Sequence, residues 1–333
     1  MAVRRHNLPL FAGTEDTEDM FLATMEEVDK DLPNLVKVDH ALYNYLKEKR
    51  LIREMGTIST NISIPLLAKE NSTVKFFTGY DDMDLNPQSA THNAKFLWGH
   101  AGGVQMYSHE EMRKNEGESQ IIDLTQTKTE QLHTSMNNKV GERIVGAQDC
   151  NGRDFMGIGR IMTPGATVGG IDPSHKGFGY WDVQQTFKDD ANSTKFALSS
   201  EMRKGMRKLR RDCTHNGMSP DVYMCGEDVY DAVLEDLEGK IRMSPKEEQM
   251  FEGHEAFAHN NLVYIYDKDL DAKTTWALNF RDKAIEVRVD KKTNFVMTPW
   301  QWTNGKVAKH RYCLLYMAVV CRRRNLNGVL KFS

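Results

Sequence analysis

No stretch of this sequence approaches the ~18 consecutive apolar residues of a membrane-spanning helix, and no apolar segment near its start has the length of a secretory signal core. The expectation is a protein kept in the cytoplasm. An excess of either charge is also missing. The 44 Lys and Arg residues stand against 47 Asp and Glu, a net charge of −3, so there is no chain-wide basic field to hold nucleic acid by counterion release. Paired cysteines are lacking too. The five present, Cys150, Cys213, Cys225, Cys313 and Cys321, are odd in number and irregular in spacing. That argues against a disulfide framework and against C-x-x-C zinc knuckles, and leaves reduced, mostly buried thiols.

Catalytic signatures fail one by one. The most inviting motif is the connector Thr163 to Trp181, TPGATVGGIDPSHKGFGYW, whose Gly169-Gly170 pair suggests a phosphate loop. A P-loop needs Lys and Ser or Thr after its last glycine, and a dinucleotide fold needs G-x-G-x-x-G between strand and helix. Ile171-Asp172-Pro173 supplies neither, so the glycines are assigned to turn geometry and Phe178, Tyr180 and Trp181 to packing. His254-Glu255 lacks a second histidine four residues on, since that position is Ala258, and only an i,i+4 pair shares a helix face for zinc. No serine sits in a G-x-S-x-G elbow. Cys213 and His215 are neighbours along the chain, whereas nucleophile and base normally meet through the fold. Acidic pairs such as Asp81-Asp82 lie in a turn-rich stretch where solvation is the default. The expectation is no enzyme, no cofactor and no metal.

What is present is an ordinary globular composition, 40% hydrophobic and 27% charged over 333 residues, room for roughly two domains of ~150 residues. The first 52 residues form an arm with two short helices. Thr14 caps one that carries Met20, Phe21, Met25 and Val28; the other runs from Asp39 to about Arg50 on Leu42, Tyr45 and Leu46. Ile58, Thr60, Ile62 and Ile64 then alternate with polar residues as a half-buried strand, which Pro65 and the polar run Lys69 to Ser72 break. A second strand is expected over Val74 to Phe77, an acidic turn over Gly79 to Gln88, and a returning strand through Phe96, Trp98, Val104 and Met106. This is a thin ribbon, and a two-stranded ribbon alone is marginal in water.

Ser108 and Glu111 have capping-box spacing. From Asp123 to Ile144 comes the strongest helix signal, with Leu124, Leu132, Met136, Val140 and Ile144 at multiples of four, a helix about 30 Å long. Phe196 to Asp212 is a helix with Leu198, Met202, Met206 and Leu209 on one face and Arg203, Lys204, Arg207, Lys208, Arg210 and Arg211 on the other; that basic face is either solvated or a contact with a neighbouring subunit or nucleic acid. A compact α+β block follows, with a strand at Val222 to Met224, a helix at Glu227 to Leu237, and strands at Leu262 to Tyr266, Thr275 to Asn279 and Ile285 to Val289. A long apolar strand from Arg311 to Arg322 and a last one from Val329 to Phe332 close the chain, with Asn325 to Gly328 as the turn between them.

The order of these parts, with TVGGID (167–172), GYW (179–181), PDVYMCGEDVYDAV (220–233) and CRRRNLNGVLKF (321–332), resembles a tailed-bacteriophage major capsid protein of the Hong Kong 97 type over nearly the whole chain. The resemblance implies an α+β fold with an N-terminal arm (1–53), an extended β-hairpin loop or E-loop (54–107), a peripheral domain (108–212 and 285–333) with a spine helix at 123–145, and an inserted axial domain (213–284). It implies a structural protein of the virion that assembles in the host cytoplasm into hexamers and pentamers of an icosahedral head around double-stranded DNA. No long N-terminal stretch suits a fused scaffold, so a separate scaffolding protein is expected, with a portal and a decoration protein as further partners and no membrane. Candidate inter-subunit contacts are Asp81, Asp82, Asp84, Trp98, Arg203, Arg207 and Arg211, with Gly169 and Gly170 as a structural turn. An encapsulin-like compartment shell and a nucleic-acid-binding protein using helix 203–211 are the alternative functions.

Overall fold

The computed structural model describes residues 40–56, 59–67, 71, 73–79, 81–82, 91–114, 124–175, 177–238, 256–259 and 262–333. The helix expected after Thr14 lies outside them. Residues 104–135 with 299–311 form one compact unit, and residues 38–103, 136–298 and 312–333 the other.

The larger unit begins with α1 (Ala41–Glu48), which buries Leu42, Tyr43, Tyr45 and Leu46. The strand β1 (Ile52–Met55) pairs in parallel with β10 (Ile285–Asp290), and β10 pairs antiparallel with β13 (Ala308–Cys321), Ile285 opposite Cys321 and Val289 opposite Met317. β11 (Val296–Met297) and β4 (Gly99–Ser108) also pair with β13. A second, mixed sheet has the order β5 (Gln184–Thr186), β14 (Gly328–Lys331), β9 (Thr274–Leu278), β6 (Val222–Cys225), β8 (Leu262–Tyr266), β7 (Ala256–His259). Helices α5 (Leu198–Asp212) and α6 (Glu227–Glu238) close over it, joining Met202, Met206, Leu209, Val229 and Tyr230 to Tyr223, Ala277 and Leu330 in one core. Every residue of β6 is buried, as expected for a strand covered on both sides.

The last two strands do not form a hairpin. β13 and β14 lie in different sheets, and a 3₁₀ turn at Arg324–Leu326 carries the chain from one to the other. Asn327, fully buried, directs the crossover: its Oδ1 accepts the Asn279 amide at 2.9 Å and its carbonyl accepts the Gln184 amide at 3.0 Å. β14 thus belongs with strands of the 213–284 block.

The ribbon pairs β2 (Asn61–Leu67) with β3 (Thr91–Leu97), Ile62 opposite Phe96 and Ile64 opposite Ala94. Pro65 does not end β2 but sits inside it, opposite Asn93, with an exposed side chain. In a two-stranded ribbon each strand has a free edge, so a missing N–H is tolerated there. Val74 to Phe77 is not a strand; it is irregular and exposed, and Phe76 is fully exposed.

The smaller unit has a polar interior. In β4 the odd positions turn inward, so Gln105 and Tyr107 are buried while Val104 and Met106 face solvent, the reverse of the expected strand face. The parity changes because Trp98 interrupts β3 and β4. Gln105 is paid for in hydrogen bonds: it donates to Tyr107 Oη at 2.6 Å and Thr129 Oγ1 at 3.0 Å and accepts from Arg311 Nε at 2.7 Å. Arg311 also donates to Thr129 and stacks 4.5 Å from the Trp300 ring, while β12 (Gln301–Trp302) pairs with His310 and Lys309. Helix α2 (His109–Lys114) starts on a reciprocal capping box, the Ser108 amide donating to Glu111 and the Glu111 amide to Ser108 Oγ. Burial raises the Glu111 pKa, but the Ser108 amide and Lys128, 3.2 Å away, outweigh it and hold the carboxyl below its usual range.

Helix α3 (Leu124–Val145) occupies 22 residues and buries Met136, Val140 and Ile144 at its C-terminal end. The connector that follows, which contains the short helix α4 (Ile158–Ile161), is wired to one side chain. Arg324, fully buried, donates Nε to Ile161 O at 2.8 Å and Nη1 to Ala166 O at 2.6 Å and Trp181 O at 3.2 Å, and its Nη2 reaches Thr163 O. Val168 and Ile171 exchange both backbone hydrogen bonds across Gly169 (φ 62°) and Gly170 (φ 78°), a two-residue turn with the two positive φ values of type I′. Trp181 Nε1 donates to Val168 O at 2.9 Å, fixing the turn from behind.

Two outcomes are expected in chemical denaturation. Gly170→Ala should lose ~1 kcal/mol, the strain of a positive φ with a Cβ that meets open space, whereas Gly169→Ala should lose more, because its Cβ would stand 3.0 Å from Ala94 Cβ and 3.1 Å from the Phe96 ring. Arg324→Met should cost at least ~3 kcal/mol by orphaning buried carbonyls, and Arg324→Lys should not rescue it, since an ammonium lacks the planar fork that reaches four acceptors; a loss under ~1 kcal/mol for either variant would remove Arg324 from this role.

Candidate assembly surfaces

The ribbon is seated at its base and open at its tip. The inward residues Ile62, Ile64, Ala94 and Phe96 are buried, and the Lys95 amide donates to Gly169 O at 2.9 Å, so the glycine turn forms part of the seat. His92 adds an edge contact with Phe178, ring centroids 4.7 Å apart. Towards the tip the chain exposes Val74, Phe76 and Phe77 in succession. A local turn shapes this segment: the Thr78 amide donates to the Asp81 carboxylate at 2.9 Å, and Lys75 Nζ reaches the Asp82 carbonyl. The result is an apolar knob with Asp81 and Asp82 exposed beside it. Such a knob has no partner within the described chain, and exposed apolar clusters mark interaction sites.

The remaining sequence candidates divide. Asp84 lies outside the described residues. Trp98 is 5% exposed, its ring turned into the subunit's own interior, so it is corrected from a surface contact to a core residue. Arg203 pairs with Asp236 of α6, Nη2 standing 2.6 Å from Oδ1, and Lys208 pairs with Asp190 at 2.8 Å while also donating to Phe187 O. Arg207 and Arg211 are exposed on the same helix, and Arg207 Nε turns back onto the Arg203 carbonyl. The basic face is therefore partly neutralised by its own fold, which weakens the field it offers a polyanion.

A second exposed apolar cluster was missed by the sequence reading. In the smaller unit Trp302, 58% exposed, stands beneath Lys309, whose ammonium is 4.8 Å from the ring, and Val307 is 72% exposed on the same hairpin. The signal was present in Trp300-Gln301-Trp302, two tryptophans beside a polar turn, but strand alternation does not say which face meets solvent. Phe76-Phe77 was hidden for the opposite reason: two adjacent phenylalanines resemble a buried strand. Among the described residues no group of three or more His, Cys, Asp or Glu side chains is placed to hold a metal ion, and no helix is long and apolar enough to cross a membrane.

No family profile matches the chain, and no curated protein matches it in sequence. Solved structures do. The capsid of Myoviridae phage XM1 matches with a TM-score of 0.58 at 12% identity, over 93% of this chain and 97% of that one. The capsid asymmetric unit of cyanophage A-1(L) matches with a TM-score of 0.62 at 12% identity, over 91% and 96%. The holo encapsulin complex of Synechococcus elongatus PCC 7942 matches with a TM-score of 0.58 at 10% identity, over 94% of each chain. The α+β fold expected from the Hong Kong 97 resemblance is therefore the fold of this chain.

Proposed function

We propose that the chain is a structural shell subunit, the major capsid protein of a tailed-phage head, assembling into hexamers and pentamers around double-stranded DNA. The observation that carries this reading is that the likeness to phage capsid structures runs over more than nine-tenths of both chains, which supports a likeness of the whole fold rather than of one shared motif. A shell needs heterologous contacts that close into rings, and thin elements with exposed apolar residues are what such contacts use. In this reading the ribbon of 54–107 overlaps an adjacent subunit, the 213–284 block points to the capsomer centre, and the spine helix faces the interior. Asp81, Asp82, Arg207 and Arg211 are contact residues, and Phe76 and Phe77 join them. A scaffolding protein, a portal and a decoration protein belong to the same proposal. Arms, ribbon and spine shift between packed arrangements as the genome enters, expanding the shell.

The encapsulin likeness supports a second reading, a compartment shell enclosing protein cargo. A nucleic-acid-binding role for the basic helix is less favoured, because Arg203 and Lys208 already face carboxylates.

Electron microscopy of the purified chain, alone or with its scaffold, should show large closed particles; persistent monomers under all conditions would sink the proposal. Particles that carry DNA favour the phage head, and particles that carry only protein cargo favour the compartment. Phe76→Ser with Phe77→Ser should leave the unfolding free energy of the subunit within ~0.5 kcal/mol of the wild type, since both rings are exposed. Particle yield should fall sharply, because burying two phenylalanines against a neighbour contributes about 3–6 kcal/mol per subunit before association costs. Unchanged yield would place the contact elsewhere.

A further inference from the structure

Four Asn-Gly pairs occur in the chain, at 151–152, 216–217, 304–305 and 327–328. Glycine has no Cβ to shield its amide nitrogen, so each pair sets an unhindered backbone nucleophile next to the carboxamide that precedes it. The fold treats the four differently.

Asn327 is fully buried and held at both ends of its carboxamide, Oδ1 accepting the Asn279 amide at 2.9 Å and Nδ2 donating to Arg323 O at 3.1 Å. Gly328 is fixed in β14 between Gln184 and Ala277. Asn151 is exposed, but its Oδ1 accepts the amides of Arg153 at 3.0 Å and Asp154 at 2.9 Å, which fixes the side chain. Asn216 (φ 53°) and Gly217 (φ 77°) form a two-residue turn closed from both sides, the His215 amide on Met218 O at 3.1 Å and the Met218 amide on His215 O at 3.0 Å. Bringing the Gly217 nitrogen onto the Asn216 carboxamide rotates the peptide between them, and a turn closed twice resists that rotation.

Asn304 is the exception. The base of its hairpin is held: Thr303 Oγ1 stands 2.8 Å from His310 Nδ1, the Thr303 amide donates to Ala308 O at 2.9 Å, and Lys309 lies over the Trp302 ring. The tip is looser. Residues 304–307 are all exposed, and the Lys306 amide reaches Thr303 O at 3.2 Å across them, with Gly305 (φ 75°) at the position where a type II turn requires glycine. Among the described residues nothing bonds to the Asn304 carboxamide, and a Cβ at Gly305 would meet open space, so solvent reaches both reacting groups.

We infer that Asn304 is a site of spontaneous modification, converting to a mixture of aspartate and isoaspartate. The Gly305 nitrogen, having lost its proton to solvent base, bonds to Asn304 Cγ; the Cγ–Nδ2 bond breaks and ammonia leaves, closing a five-membered succinimide. Water then opens the ring at either carbonyl. Overall one water is consumed, ammonium is released and one carboxylate is gained, with no oxidation or reduction. The new charge falls two residues from Lys306, on the hairpin that exposes Trp302 and Val307, so the reaction alters the charge of an apolar surface.

Peptide mapping by mass spectrometry tests this on the full chain, in its free-subunit fraction and unfolded in guanidinium chloride, over one interval at neutral and at mildly alkaline pH. The unfolded chain gives each pair its own reference rate. The folded rate should stay within roughly threefold of that reference at Asn304, fall roughly tenfold or more below it at Asn151 and Asn216, and be undetectable at Asn327, because the last three must first open locally. The Asn304 product should be heavier by about 1 Da, contain isoaspartate, form faster at the higher pH and add one negative charge on isoelectric focusing. Asn304→Gln, whose longer side chain must close a larger ring, should lose the acidic species. A folded rate at Asn304 as suppressed as that at Asn151 or Asn216, a product without isoaspartate, a rate indifferent to pH, or an acidic species that persists in Asn304→Gln overturns the assignment.

Discussion

The larger unit depends on one buried cation. Taking the Arg324 guanidinium out of water costs several kcal/mol, and burial alone lowers its pKa, with the Asp182 carboxylate 3.5 Å away opposing that shift. The cost is offset by carbonyls at 161, 163, 166 and 181, so one side chain in the 3₁₀ turn after β13 determines the path of a connector some 160 residues earlier. Everything seated on the connector inherits that placement. The type I′ turn at Gly169-Gly170 stands where Lys95 of the ribbon can bond to it, and Trp181 holds the turn by its Val168 carbonyl. Three residues past Arg324, Asn327 sends the chain into the second sheet. A single crossover therefore couples ribbon, connector and both sheets.

The smaller unit solves its interior differently. Gln105, Thr129 and Arg311 satisfy one another in a polar network, and Trp300, Tyr107 and Lys128 pack around it, the Lys128 ammonium 4.9 Å from the Tyr107 ring. Apolar side chains are meanwhile left outside, among them Val104, Met106, Trp302 and Val307. An isolated globule gains by the reverse arrangement. A chain that exposes apolar groups here and at Phe76-Phe77 has surface left to bury, which supports the proposed assembly independently of any likeness of fold.

Helices were legible in the sequence because their signal is local. The four-residue recurrence of Met136, Val140 and Ile144 and the basic-apolar division of 198–212 each place a buried face without reference to the rest of the chain. The capping box at Ser108 was legible for the same reason. Strand faces and strand partners were not. Pro65 looked like a terminator because its tolerance depends on β2 having a free edge, and Val104 and Met106 looked inward because nothing local announces that Gln105 will find Thr129 and Arg311. The closing turn was legible but its partners were not: Asn325 to Gly328 has turn chemistry, but whether a turn joins two strands of one sheet or two sheets is decided by Asn279 and Gln184, far away in sequence. Of the contact candidates, the exposed acids Asp81 and Asp82 were legible from a turn-rich composition, whereas the burial of Trp98 required knowing what packs over it.

The same distinction explains how the fold matches capsid structures at 12% identity while no sequence profile does. Many long-range ties here run from a side chain to a backbone carbonyl: Arg324 to four of them, Trp181 to Val168, Arg143 to Phe155 and Asp149, Lys208 to Phe187. A carbonyl acceptor is present at every position whatever the residue, so such a tie constrains the path of the chain without constraining the identity of the residue that accepts it. Only the donor end is written in the sequence, as a single Arg, Trp or Lys. A fold held in this way leaves few local motifs, and its order of elements says more about its architecture than any one of its residues.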